Sequence, residues 1–362
     1  MPKFKTDYHI TLNETNIVKA IAICAMLWHH LFLEHREYGP GIFRFALIAK
    51  VCVALFVFLS GYGMATKYQK GEKNLALRHK SLETAKFLAQ RFTKFYLSYW
   101  FIFAITVPLG VFVFGRPLSA AYGNGSCLWA NMFIDLFGFQ SLNSYNITWW
   151  FNRLILVLWL LFPLFYWSMK SRFVYLWMLI LFYLNPGHYL DFFNVLAPGF
   201  TTYAVVYMLG ICLAINIDRI NLMLNHVSLH IVATVSIVSM IAFLYIRNIC
   251  VFPFFSGIKV DPFLVIFISL SIVCICRLTK HNLTPLAFVG RHSMNMYLLH
   301  TFIFSYFFSD FIYGFKHPAL IFGVLFLISL SLSVVLEYLK GVIGFHRIQN
   351  IVTRKLDFVH DS

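Results

Sequence analysis

The sequence predicts an all-α fold: a polytopic membrane bundle of about ten transmembrane helices with both termini in the cytoplasm. Three observations carry the prediction. The residues are 60% hydrophobic and only 12% charged, against roughly 25% charged in ordinary soluble domains. Apolar runs of roughly 17 to 24 residues, each long enough for a helix to cross about 30 Å of hydrocarbon, recur along nearly the whole chain. The formal charge of +15 is spread unevenly over alternate connections.

The first twelve residues are polar and basic. The first apolar run carries Lys19, His29 and His30 with no small-residue cleavage site behind it, so it reads as a retained helix and not a signal peptide. Spans then read in order as Ile17 to Leu33, Val51 to Thr66, Phe95 to Phe114, Trp149 to Trp167, Phe173 to Leu184, Val195 to Ile215, His226 to Ile246, Val260 to Cys276, His292 to Tyr313 and Ala319 to Leu339. With the N-terminus cytoplasmic, one face collects most cations, among them Lys67, Lys70, Arg78, Lys86, Arg91, Lys94, Lys170, Arg277 and Arg347. The other has few, such as Arg36, Arg44, Arg116, Arg153 and Arg247. That bias is the positive-inside signature and it fixes the orientation. The cations then face anionic lipid, and no nucleic acid partner is needed to explain them.

The connections are mostly short, so residues 1–362 read as a single membrane-embedded domain. Two stretches stand out. Residues 67–94 mix basic residues with Leu75, Leu82, Phe87 and Leu88, the pattern of an amphipathic helix on the cytoplasmic surface. Residues 115–147 form an outer loop with an apolar patch from Leu128 to Phe139, suited to a re-entrant or interfacial helix that caps a cavity. The seven cysteines lack metal-ligand spacing, so no metal is expected; Cys127 and Cys250, both in outer loops, could bridge.

Ionisable groups inside a span are costly, and each is a functional candidate. Lys19 and His30 are eleven positions apart, close to three helical turns, and share a face. His29 points away from it, toward a neighbouring helix or lipid. An imidazole titrates near neutrality and is suited to take a proton from a hydroxyl; Glu34, four residues on and one turn outward on the same face, would hold the ring and stabilise the imidazolium. Interfacial snorkelling of the histidines and a solvated Glu34 are the plain alternatives. Arg91 and Lys94 stand at the cytoplasmic end of the third span, as anchors or as a grip on phosphate. Tyr297 and His300 share a face of the ninth span and either line a cavity or hold a structural hydrogen bond. Trp149, Trp150 and Arg153 form an aromatic belt or a sugar-stacking platform.

These residues resemble the acyltransferase 3 family of membrane proteins. The cation, ten residues and histidine from Lys19 to His30 are similar to the start of that family. VALFVFLSGYGM (Val53 to Met64), RFTKFYLSYW (Arg91 to Trp100), WWFNRLILVLWLLFPLF (Trp149 to Phe165) and VGRHSMNMYLLH (Val289 to His300) look like its later landmarks in the same order. Lys94 replaces a second arginine, which keeps the charge and loses the planar fork; Leu97 stands where the family often has proline. The resemblance implies an O-acyltransferase of a bacterial inner membrane. Its donor would be cytoplasmic acetyl-CoA or another acyl-CoA, and its acceptor a hydroxyl of an extracytoplasmic or lipid-linked glycan. Taken with the chemistry of the residues, this reading makes His30 and Glu34 the catalytic residues, assigns Lys19, Ser60, Arg91 and Lys94 to the donor, and puts Trp150, Tyr297 and His300 in the substrate cavity. Whether His30 is a general base or a covalent nucleophile stays open. The rival reading is a transporter of sugars or lipid-linked glycans; the internal repeats or paired broken helices such a protein often shows are not evident in the sequence.

Overall fold

The computed structural model describes residues 7–72, 80–140, 143–184, 192–249, 257–279 and 283–354. Among these the chain is helical throughout: α1 Leu12–Phe32, α2 Pro40–Ala49, α3 Val51–Glu72, α4 Lys80–Phe112, α5 Ser119–Tyr122, α6 Ser126–Leu136, α7 Trp150–Leu160, α8 Phe162–Lys170, α9 Arg172–Leu184, α10 Phe193–Leu196, α11 Phe200–Leu224, α12 Leu229–Ile249, α13 Asp261–Thr279, α14 Thr284–Thr301, α15 Ser309–Tyr313, α16 Pro318–Val342 and α17 Phe345–Arg354. Among the described residues seven helices are long and apolar enough to cross a bilayer, or eight if the broken pair α7 and α8 is one span. On α12, Ile231, Val235, Val238, Ile241 and Tyr245 are exposed at three- and four-residue spacing. Such a stripe has lipid for its solvent.

Several expected boundaries move, each for a local reason. The second span gains a preceding helix, α2, started by Pro40 at its first position and closed at Lys50. The 67–94 stretch is divided between the end of α3 and the start of α4, with residues 73–79 outside the described set. The fourth span breaks at Leu161, two residues before Pro163, whose ring cannot continue the hydrogen-bond ladder. The sixth begins at Phe200 and not at Val195, because Pro198 and Gly199, the latter at φ +68°, interrupt the run. The ninth begins at Thr284; Arg291, His292 and Asn295 depress its hydropathy, and the last two are buried among protein atoms. α6 is a short helix within the apolar patch read in the 115–147 loop. The second member of the Cys127–Cys250 pair lies outside the described residues.

The chain forms two compact units. One comprises residues 1–66, 164–189 and 201–293, the other residues 67–163, 190–200 and 294–362. In the first, helix contacts are made at glycines. A Cβ on Gly61 would lie 2.3 Å from the Tyr207 carbonyl oxygen, and one on Gly210 would lie 2.3 Å from that of Phe58, so α3 and α11 meet backbone to backbone. A Cβ on Gly290 would lie 1.8 Å from the Asn16 carbonyl oxygen, which seats α14 against α1. Small residues permit this approach where lipid offers no hydrophobic drive for helix association.

The start of α1 is fixed by a capping box. Glu14 N donates to Thr11 Oγ1 at 3.2 Å and Thr11 N to Glu14 Oε2 at 2.7 Å. Arg277 of α13 donates to Glu14 Oε1 and to the His9 carbonyl, and Tyr8 N donates to Asn221 of α11. The helix that carries Lys19 and His30 is thus anchored at its first turn.

The second unit is built on aromatic contacts. Tyr99 and Phe103 of α4 pack on Trp149, and Phe302 packs on the same indole. α16 ends at Val342, and the chain turns at Gly344, φ +70°, so that α17 runs back along α4: Phe345 meets Phe101, and Gln90 Nε2 donates to the Thr353 carbonyl.

Candidate functional site

Lys19, His30, Glu34 and Ser60 belong to the first unit; Arg91, Lys94, Trp150, Tyr297 and His300 belong to the second. In the first, Lys19 and His30 are both half-buried on α1, and Ser60 is half-buried on α3 beside the close-contact Gly61. Helix α1 ends at Phe32 with Leu33 as its C-cap. Glu34 therefore lies in an exposed bend, and the one-turn stacking of Glu34 on His30 expected of a longer helix does not hold.

His29 is turned to a neighbouring helix. It is buried, and its Nδ1 donates to the Ala46 carbonyl oxygen at 2.8 Å. Arg247 of α12 donates to the next carbonyl, Leu47, at 2.7 Å, and its Nε to Asp261 Oδ1 of α13 at 2.6 Å. The last turn of a helix leaves carbonyls without intrahelical donors. His29 and Arg247 satisfy two of them on α2, and Asp261 balances the guanidinium. The rings of His29 and His30 are 5.1 Å apart, so this clamp on α2 also braces the residue expected to react.

In the second unit Arg91 and Lys94 are exposed on α4, with the Arg91 guanidinium 4.7 Å from the centre of the Trp159 ring. The aromatic face restrains a side chain that would otherwise sample many rotamers. Trp150 is half-buried at the start of α7. The Tyr297 hydroxyl donates to the Thr148 carbonyl at 3.0 Å, and His300 Nδ1 donates to the Tyr297 carbonyl at 2.7 Å. Trp149 Nε1 donates to the Leu298 carbonyl, and Thr148 and Thr301 hydroxyls are 2.8 Å apart. Tyr297 and His300 thus belong to a buried polar network that joins α14 to the start of α7.

Other polar residues escaped the sequence reading. Asp135, at the end of α6, is buried and accepts from Tyr122 Oη at 2.8 Å, Ser144 Oγ at 2.8 Å and Tyr145 N at 2.9 Å. Burial raises its carboxyl pKa from the usual 3.8 to about 6, against the pull of those donors. Tyr99, Trp100 and Tyr96 of α4 donate to the carbonyls of Asp135, Leu136 and Phe137, capping the C-terminus of α6 by three side chains of one helix face. The available signal was an acid inside the apolar patch from Leu128 to Phe139. On α14 and α16, Lys340 Nζ donates to Glu337 at 2.7 Å and Asn295 Nδ2 to Glu337 at 2.8 Å, two buried donors on a half-buried carboxylate. Among the described residues no group of three or more His, Cys, Asp or Glu is placed to hold a metal ion.

Chemically, the first unit offers an imidazole and an ammonium on one membrane-embedded helix face, and the second offers two cations suited to phosphate. Compared with known proteins, the model of a family described as an acyltransferase domain matches residues 12–338, nearly the whole chain. No curated protein and no solved structure matches.

Proposed function

We propose, for a chain that belongs to the acyltransferase 3 family and is on that ground a membrane acyltransferase, that it moves an acetyl or other short acyl group from cytoplasmic acyl-CoA to a hydroxyl of an extracytoplasmic or lipid-linked glycan. The chain crosses the inner membrane of a bacterium about ten times, with both termini cytoplasmic, as the distribution of its cations favours. Arg91 and Lys94 take the donor's phosphates by charge-assisted hydrogen bonds. Lys19 and Ser60 line its path.

His30 is the general base. Its ring nitrogen takes the proton from the acceptor hydroxyl as that oxygen attacks the thioester carbonyl. The tetrahedral oxyanion collapses, the C–S bond breaks, and the thiolate takes the proton back from the imidazolium. Glu34 would serve the ring only by folding back from its bend, and has the lesser part. Trp150, Tyr297 and His300 fall to the acceptor side, where the hydrogen bonds of Tyr297 and His300 favour a wall over a reactive group.

The reading is carried by one observation: His30 and Lys19 share a half-buried face of a helix that lies within the family match. Mass spectrometry of surface glycans tests it. A deletion strain complemented with the parent chain should regain O-acetyl groups, and one complemented with His30→Ala should not. Unaltered glycans in the deletion strain would count against the reading.

A further inference from the structure

The segment between α4 and α7 holds a cation with no counter-charge among the described residues. Arg116 follows Gly115, whose φ of +66° turns the chain away from α4. Its guanidinium carbon is 3.5 Å from the centre of the Tyr306 ring and 4.7 Å from that of Tyr145. Both rings are themselves fixed. Tyr145 Oη donates to the Arg116 carbonyl at 2.9 Å, and Ile147 N donates to Tyr306 Oη at 3.0 Å. Tyr306 stands on the π-helical turn Phe302–Phe307 that follows α14. Such turns are uncommon and recur at functional sites.

Aromatic faces attract a guanidinium but accept none of its N–H groups in the manner of an oxygen. Nη1 of Arg116 is buried and has no hydrogen-bond partner among the described residues, and no described carboxylate forms an ion pair with the side chain. Three other buried or half-buried cations each have a carboxylate: Arg247 is paired with Asp261, Arg277 with Glu14 and Lys340 with Glu337. Arg116 is half-buried as a residue while Nη1 itself is covered, so a ligand that pairs with both ends of the fork must displace part of that cover. A preorganised guanidinium with unused donors suits the two oxygens of a carboxylate or phosphate.

We propose that Arg116, held between Tyr145 and Tyr306, binds an oxyanion of the acceptor, either the carboxylate of an acidic sugar or the phosphate of a lipid-linked glycan. The proposal rests on the acyltransferase reading for the word acceptor alone; the anion site itself is tested without donor.

The full-length protein in detergent, carrying Arg91→Ala and Lys94→Ala so that the donor's own cations cannot respond, is titrated with inorganic pyrophosphate and with glucuronate. Tyrosine and tryptophan fluorescence and the thermal midpoint are followed. At least one anion should give a saturable change in both. Adding Arg116→Gln should weaken it at least tenfold, and Arg116→Lys should bind with intermediate strength. A response to pyrophosphate alone assigns a phosphate-bearing acceptor, and a response to glucuronate alone an acidic sugar. No saturable response to either anion overturns the proposal, as does a response that Arg116→Gln leaves unchanged. Should Arg116→Gln not fold, Arg116→Lys decides, and unchanged affinity there overturns it too. Failure of acetyl-CoA turnover in the parent chain would instead strike the acyltransferase reading and leave these titrations as they stand.

Discussion

Replacing Gly290 with alanine should damage the protein far more than one methyl group ordinarily does. The new Cβ would sit 1.8 Å from the Asn16 carbonyl oxygen and 2.6 Å from its carbon, where ordinary contact begins near 3.4 Å. The obstacle is backbone of α1, which cannot rotate aside like a side chain tip, so α1 and α14 must part by roughly 1.6 Å. Overpacking of this kind costs about 1–3 kcal/mol when a core can yield, and the upper end is expected here. Gly323 on α16 provides the control, because a Cβ there meets nothing within 4 Å. Each variant is purified in the same detergent and its thermal midpoint read by fluorescence-detected size exclusion. Gly290→Ala should lower the midpoint by several degrees and reduce transferase activity, because the displaced helix bears Lys19 and His30, while Gly323→Ala should match the parent. A Gly290→Ala protein with parental midpoint and activity would refute the claim that this glycine seats α1.

Other residues give sharper local tests. Tyr99→Phe leaves the buried Asp135 carbonyl without its 2.7 Å donor and should cost about 1–3 kcal/mol, read as a lower thermal midpoint and faster hydrogen exchange in α6. Because burial raises the Asp135 carboxyl to about 6 from 3.8, the fold favours its neutral form. The stability of the α6 region should therefore be greatest below about pH 4, fall as pH rises toward 6 and level off above, by up to ~3 kcal/mol. Exchange over residues 126–136 at pH 4.5 and 7.5 measures it, and a flat response would oppose the assignment. His29→Ala removes the donor to the Ala46 carbonyl and should cost about 1–2 kcal/mol while leaving donor binding intact; lost acetyl-CoA affinity would argue against a positioning role.

Much of this architecture was legible because lipid imposes simple demands. An apolar run long enough to span reads as a helix whatever its neighbours, and Lys19 and His30 share a face by periodicity alone. Breaks were harder. Pro198 and Gly199 were visible, but the apolar run on either side hid the interruption, and α14 was misplaced because its polar residues are buried in protein and not excluded from it. Glu34 misled because the helical face argument assumes the helix continues, and it ends at Phe32. The partnerships of Arg116 with Tyr306, of Trp149 with Leu298 and of Arg247 with Leu47 join residues far apart in sequence. No local pattern announces them. The glycines of the Ser60 to Tyr62 and Gly290 to Ser293 motifs were seen as family landmarks, and only the backbone approach at each explains why glycine stands there.

The central claim is that His30 takes the proton in acyl transfer while other residues hold the donor. Its most direct test separates binding from turnover in purified protein supplied with radiolabelled acetyl-CoA. His30→Ala should bind the donor within a few-fold of the parent and lose transfer of label to a glycan acceptor by at least a hundredfold. Transfer at the parental rate by His30→Ala would contradict the account.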